Sequence, residues 1–134
     1  MEAIEQPQLE KIRQIESIDI EEGLKSANNN VNAYLEIVDS FLDDASSKIP
    51  EFKLFMAKDT NLWNEAELQK FTKTVHAIKG AAAIIGARIL SKKAADLEIA
   101  GKSCDRAAIT KNFPDFFRDL ETTTNRVLSA MKNS

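Results

Sequence analysis

From Val31 to Met56 the chain is apolar at every third or fourth position: Val31, Leu35, Val38, Leu42, Ala45, Ile49, Phe52 and Met56 fall on one face of a helix. The same spacing returns in Leu68, Phe71, Val75, Ile78, Ala82 and Ile85, and again in Ile109, Phe113, Phe116, Leu120, Val127 and Met131. Amphipathic helices joined by short loops hide such stripes by packing together. Sheet folds also need frequent turns, and only four Gly and three Pro occur in 134 residues, less than half the usual share of about 12%. The length suits one domain with a single core.

Shorter signals divide the chain. Pro7 opens a short helix over Gln8 to about Glu16, with Leu9, Ile12 and Ile15 inward. Asp19 followed by Glu22 predicts the start of a second short helix, which ends at Asn28-Asn29-Asn30. Asp59-Thr60-Asn61 reads as a turn. Asn64 with Glu67 predicts a capping box, and Trp63 stands where a hydrophobic staple would meet Leu68. Gly86 reads as a left-handed helix stop. Another helix follows from about Ala87 to Lys102, with Leu90, Ala94 and Leu97 inward. Pro50 predicts a kink or break, and Pro114 a bend or the true start of the last helix. The expected architecture is all-α: an antiparallel four-helix bundle with short additional N-terminal helices. Residues 1–17 form an N-terminal helical extension and 18–134 the bundle domain.

Composition narrows the chemistry. A net charge of −3 argues against a globally basic nucleic-acid binder, and no uncharged apolar run approaches the ~18 residues of a membrane span. The opening Met-Glu-Ala-Ile-Glu has neither the basic start nor the apolar stretch of a secretory signal. A single cysteine, Cys104, permits no internal disulfide and suits a reducing, cytoplasmic setting. With one histidine, neither a zinc site of usual composition nor a di-iron bundle with two Glu-x-x-His pairs is expected, so no metal is assigned. Gly-rich phosphate loops are absent.

The histidine itself carries the interest. His76 stands one residue, about 100° of helix turn, from the buried stripe at Val75. Lys79 and Gly80, three and four residues on, share its face. Lys79 is placed to bring its ammonium toward an anion on the imidazole. Gly80 costs a helix interior about 1 kcal/mol relative to alanine, which implies that space is wanted there; Ala83 extends the clear strip. Glu98, beside the inward Leu97, is a candidate to hold the other ring nitrogen and so set the tautomer. From Gln69 to Lys93 six basic residues occur with no acidic one, a pattern that fits either steering toward an acidic partner or a set of solvated helix faces.

His76-Ala77-Ile78-Lys79-Gly80-Ala81-Ala82 resembles the signature of the histidine-containing phosphotransfer (HPt) domain family. Gly86-Ala87, Leu90-Ser91 and Leu97-Glu98 fall at the family's later positions, and Ile18 to Leu24 with Tyr34-Leu35 and Phe41 resemble its opening. Asn28 to Asn30 stand where the family often has Gly. A histidine-kinase dimerisation helix normally has an acidic residue after its histidine, whereas Ala77 follows here. The resemblance implies a phosphoryl carrier with little catalytic machinery of its own. His76 would be the phosphoacceptor, Lys79 would stabilise the phosphoryl, Gly80 would give clearance and Glu98 would orient the imidazole. Partners would be response-regulator receiver domains or a hybrid sensor histidine kinase, with Mg²⁺ on the receiver rather than on this chain. Thr72, Lys73 and Ala83 complete the expected contact patch, and a monomer is expected. The alternatives are a pseudo-HPt adaptor that binds receivers without carrying phosphate, and an unrelated hydrolase or metal enzyme on a helical bundle.

Overall fold

A computed structural model describes residues 7–132; residues 1–6 of the expected extension, including the opening pentapeptide read for a signal, lie outside the described residues. Within them the chain is all helical: α1 (Pro7–Arg13), α2 (Ile20–Ser26), α3 (Val31–Met56), α4 (Glu65–Ile85), α5 (Arg88–Lys102) and α6 (Arg106–Met131), with a 3₁₀ turn at Thr60–Leu62. No strand occurs among the described residues. The four long helices form an antiparallel bundle in which each packs on its chain neighbour and α6 closes back on α3. α1 lies on α6, and α2 lies on α3 and α4. Leu9, Ile12, Ile18, Ile20 and Leu24 of the N-terminal segment join the same buried core as the bundle.

Local chemistry sets the helix ends. The Asn64 side chain accepts from the Glu67 N–H while Glu67 accepts from the Asn64 N–H, closing the expected capping box. Asp19 and Asn30 cap α2 and α3 through the amides of Glu22 and Ala33. Asn28 and Asn29 take left-handed backbone angles, φ 55° and 61°, a conformation asparagine tolerates better than most residues; this explains how they serve where glycine is usual. Gly86 is left-handed at φ 93° and ends α4.

Several expectations need correction. Neither proline breaks its helix: α3 runs through Pro50, and α6 begins at Arg106, not Pro114. Both prolines are exposed, as are Ser46 and Thr110, whose carbonyls lose the amide donor four residues on. Buried Phe52 and Phe55 beyond the first proline, and Phe113 and Phe116 around the second, hold the helices through these points. Met56 turns out to solvent, and the neighbouring Phe55 is buried instead. α1 stops at Arg13, so Ile15 is buried from the turn that follows.

The base of the bundle is aromatic. Phe52 meets Phe71, Phe113, Phe116 and Phe117 edge-on, with centroids 5.4–6.4 Å apart. Trp63 packs on Phe55, Phe71 and Phe113, and its indole N–H donates to the Lys58 carbonyl. The Arg106 guanidinium donates to the Thr60 carbonyl at 2.6 Å, tying the start of α6 to the 3₁₀ turn.

Candidate functional site

Above the aromatic base, α4 carries His76, Lys79 and Gly80 on its outer side, and α5 brings Glu98 up against them. Gly101 sets how close the two helices come: a Cβ there would collide with the Thr72 side chain. With that Cβ missing, α5 lies near enough for Glu98, one turn earlier, to reach His76. Ser91 adds a second tie, its hydroxyl donating to the Lys79 carbonyl at 2.9 Å.

Glu98 is the centre of the site. Its side chain is only 6% exposed, whereas that of His76 is 64% exposed. Oε2 lies 2.7 Å from His76 Nδ1, and Oε1 lies 2.6 Å from Lys79 Nζ. Lys102 Nζ approaches Oε2 as well, at 3.3 Å. These donors hold the Glu98 carboxyl far below its ordinary value, at about 2; Lys79 is the largest cause, burial opposes it, and His76 and Lys102 add to it. An ionised carboxylate only accepts hydrogen bonds. Nδ1 therefore carries a proton, and in the neutral form of the ring the lone pair is on Nε2. The ring makes no other hydrogen bond among the described residues. The site thus presents an exposed histidine with fixed tautomer and orientation, its free nitrogen directed away from the carboxylate.

Gly80 lies beside it and is exposed, and a Cβ built there meets nothing within 4 Å. Internal packing gives no reason for glycine at this position. Ala83 and Lys73 are exposed on the same helix. Thr72 is half-buried, with its hydroxyl donating to the Leu68 carbonyl and its side chain against Gly101.

The run of six basic residues is largely neutralised from within. Lys79 pairs with Glu98, Arg88 with Asp19, Lys92 with Asp96, and Lys93 with Asp115 and Asp119. Only Lys70 and Lys73 of the six form no ion pair among the described residues. Sequence reasoning placed Lys79 toward the imidazole's ligand; the structure places its ammonium on the carboxylate that holds the imidazole. Lys102 was missed, although its position four residues after Glu98 on one helix was a readable signal. Among the described residues no three His, Cys, Asp or Glu side chains gather as a metal cluster would, and no helix is long and apolar enough to cross a membrane.

The fold and site together make a helical bundle with one exposed histidine, anchored from behind by a buried carboxylate. The family model described as Hpt domain matches residues 36–130, more than two-thirds of the chain. The protein belongs to the Hpt domain family, and with it to the phosphotransfer modules of two-component signalling. No curated protein and no solved structure matches the chain significantly.

Proposed function

We propose that the protein is a phosphoryl carrier in which His76 Nε2 accepts the group from a receiver-domain aspartate, or from a kinase, and passes it to a response regulator. The observation that carries this reading is the 2.7 Å contact between His76 Nδ1 and the buried, ionised Glu98. With Nδ1 protonated, the Nε2 lone pair attacks phosphorus without a separate base. The P–O bond to the aspartate breaks and its electron pair returns to the carboxylate. The positive charge left on the ring is held by Glu98, and reversal of the same steps delivers the phosphoryl onward. Mg²⁺ and the acidic pocket that stabilise the transferring group belong to the receiver.

Lys79, one helical turn from His76, stabilises the phosphoryl by turning its ammonium from Glu98 to the phosphoryl oxygens. Gly80 and Ala83 leave the approach open, and Thr72 and Lys73 border it. The carrier works in the cytoplasm as a monomer and needs no cofactor of its own. Incubation with a phosphorylated receiver and Mg²⁺ is the test. Acid-labile, base-stable label on the wild type and none on His76→Gln is the expected result. Receiver binding that survives His76→Gln, with no label on either protein, would make it an adaptor instead.

A further inference from the structure

Glu98 is engaged by two lysines, and they are not equivalent. Lys79 approaches from α4, shares the His76 face and bonds Oε1. Lys102 approaches from Glu98's own helix and bonds Oε2, the oxygen that also receives His76 Nδ1–H. The Lys102 side chain is 68% exposed against 35% for Lys79. On the other flank of α5, the α6 acids Asp115 and Asp119 are taken up by Lys93. The groups that face the Glu98 carboxylate are therefore the imidazole of His76 and the ammonium of Lys79 from α4, and the ammonium of Lys102 from α5.

A phosphoryl group on Nε2 brings about two negative charges to the face that Lys79 shares. As Lys79 turns to it, Oε1 loses its closest donor. A buried carboxylate so stripped becomes more basic and holds the proton on Nδ1 more firmly. A ring kept protonated at Nδ1 is a better leaving group: when water attacks phosphorus, the P–Nε2 bond breaks, its electron pair returns to Nε2, and inorganic phosphate departs. A carrier that loses its cargo this way fails before it meets its acceptor.

We propose that Lys102 is the standing counter-ion of Glu98, a positioning residue that keeps the carboxylate paired while Lys79 serves the phosphoryl, and so sets the lifetime of the phosphohistidine. The inference rests on the carrier reading above and adds a division of labour between the two lysines.

The test uses the full chain phosphorylated with phosphoramidate, a small donor whose P–N bond breaks with loss of ammonia and which requires no receiver. Wild type, Lys102→Met, Lys102→Arg and Lys79→Met are compared by the decay of the phosphohistidine and by the pH midpoint of Nδ1 protonation, read from its ¹⁵N shift. Lys102→Met is expected to raise that midpoint in the phosphorylated protein and to shorten the lifetime by up to about fivefold, the ceiling for an exposed partner of this kind. Lys102→Arg is expected to restore both. In the unphosphorylated protein Lys102→Met should leave the Nδ1–H contact to Glu98 in place, because Lys79 is still on Oε1. Equal midpoints and lifetimes in phosphorylated wild type and Lys102→Met would overturn the division of labour and leave the carrier intact. Failure of wild type to take label at His76 would overturn both.

Discussion

Two glycines, one on each helix of the site, do opposite things. Gly101 of α5 is buried because the Thr72 side chain fills the space where a Cβ would stand. Gly80 of α4 is exposed, and nothing stands within 4 Å of the same position. Both forgo the helix propensity of alanine. Gly101 recovers the loss inside the molecule, as a close helix approach that delivers Glu98 to His76. Gly80 recovers nothing inside the molecule, and in the proposed carrier its role is the clearance it leaves for a partner. The same division separates the halves of α4: Phe71 is locked among rings, while His76 is held by one buried carboxylate and otherwise open.

The largest expected effect tests the rigid half. Phe71→Ala removes contacts to Phe52, Phe55, Trp63 and Phe113 and should cost about 3–5 kcal/mol in urea unfolding followed by circular dichroism. A loss under about 1 kcal/mol would mean that the aromatic base is not what fixes α4. Gly101→Ala comes next, destabilising by about 1–3 kcal/mol through the clash with Thr72. Thr72→Ala in the same chain should return most of that loss; an unrelieved double variant would break the packing half of the comparison. Gly80→Ala should do the reverse and stabilise by up to about 1 kcal/mol, and Gly80→Gln should fold normally yet take phosphoryl from a receiver more slowly. Normal transfer by Gly80→Gln would remove the clearance role.

The last test concerns pH. Glu98 titrates near 2 in the folded protein against an ordinary 4.5. Its ionised form is favoured by folding, so the contribution is full above about pH 4.5 and is lost as pH falls toward 2. Glu98→Gln should flatten the acid limb of stability in that window; an unchanged limb would mean that the carboxylate's partners do not stabilise it.

Much of this was legible because it is local. The capping box at Asn64 and Glu67, the stop at Gly86 and the shared face of His76, Lys79 and Gly80 all follow from spacing along helices, where three and four residues mean one face; Glu98, 22 residues from His76 on the next helix, was a candidate only through its place beside the inward Leu97 and the family resemblance. What escaped notice depended on neighbours brought by the fold. Pro50 read in one dimension as a kink or break and Pro114 as a bend or start; the helices run on through both, because each lies on a wet face while phenylalanines hold the dry one. Met56 fits the apolar period of α3, yet a helix drifts against a strict seven-residue repeat, and by the last turn Phe55 has the inward position. Within the site, the basic run from Lys70 to Lys93 fitted either a steering surface or solvated helix faces; acids from the turn before α2 and from α5 and α6 pair with four of its six members. Lys79 was read toward the phosphoryl, and only the packed structure shows its ammonium on Glu98.

The central claim is that Glu98 reserves Nδ1 for itself and leaves Nε2 to react. Phosphorylated protein carrying ¹⁵N-histidine tests it in one spectrum, since one-bond ³¹P–¹⁵N coupling identifies the nitrogen that holds phosphorus. Coupling to Nε2, with a protonated Nδ1 still bonded to Glu98, is the predicted result. Phosphorus on Nδ1, or a phosphorylated ring that has left the carboxylate, would contradict the account.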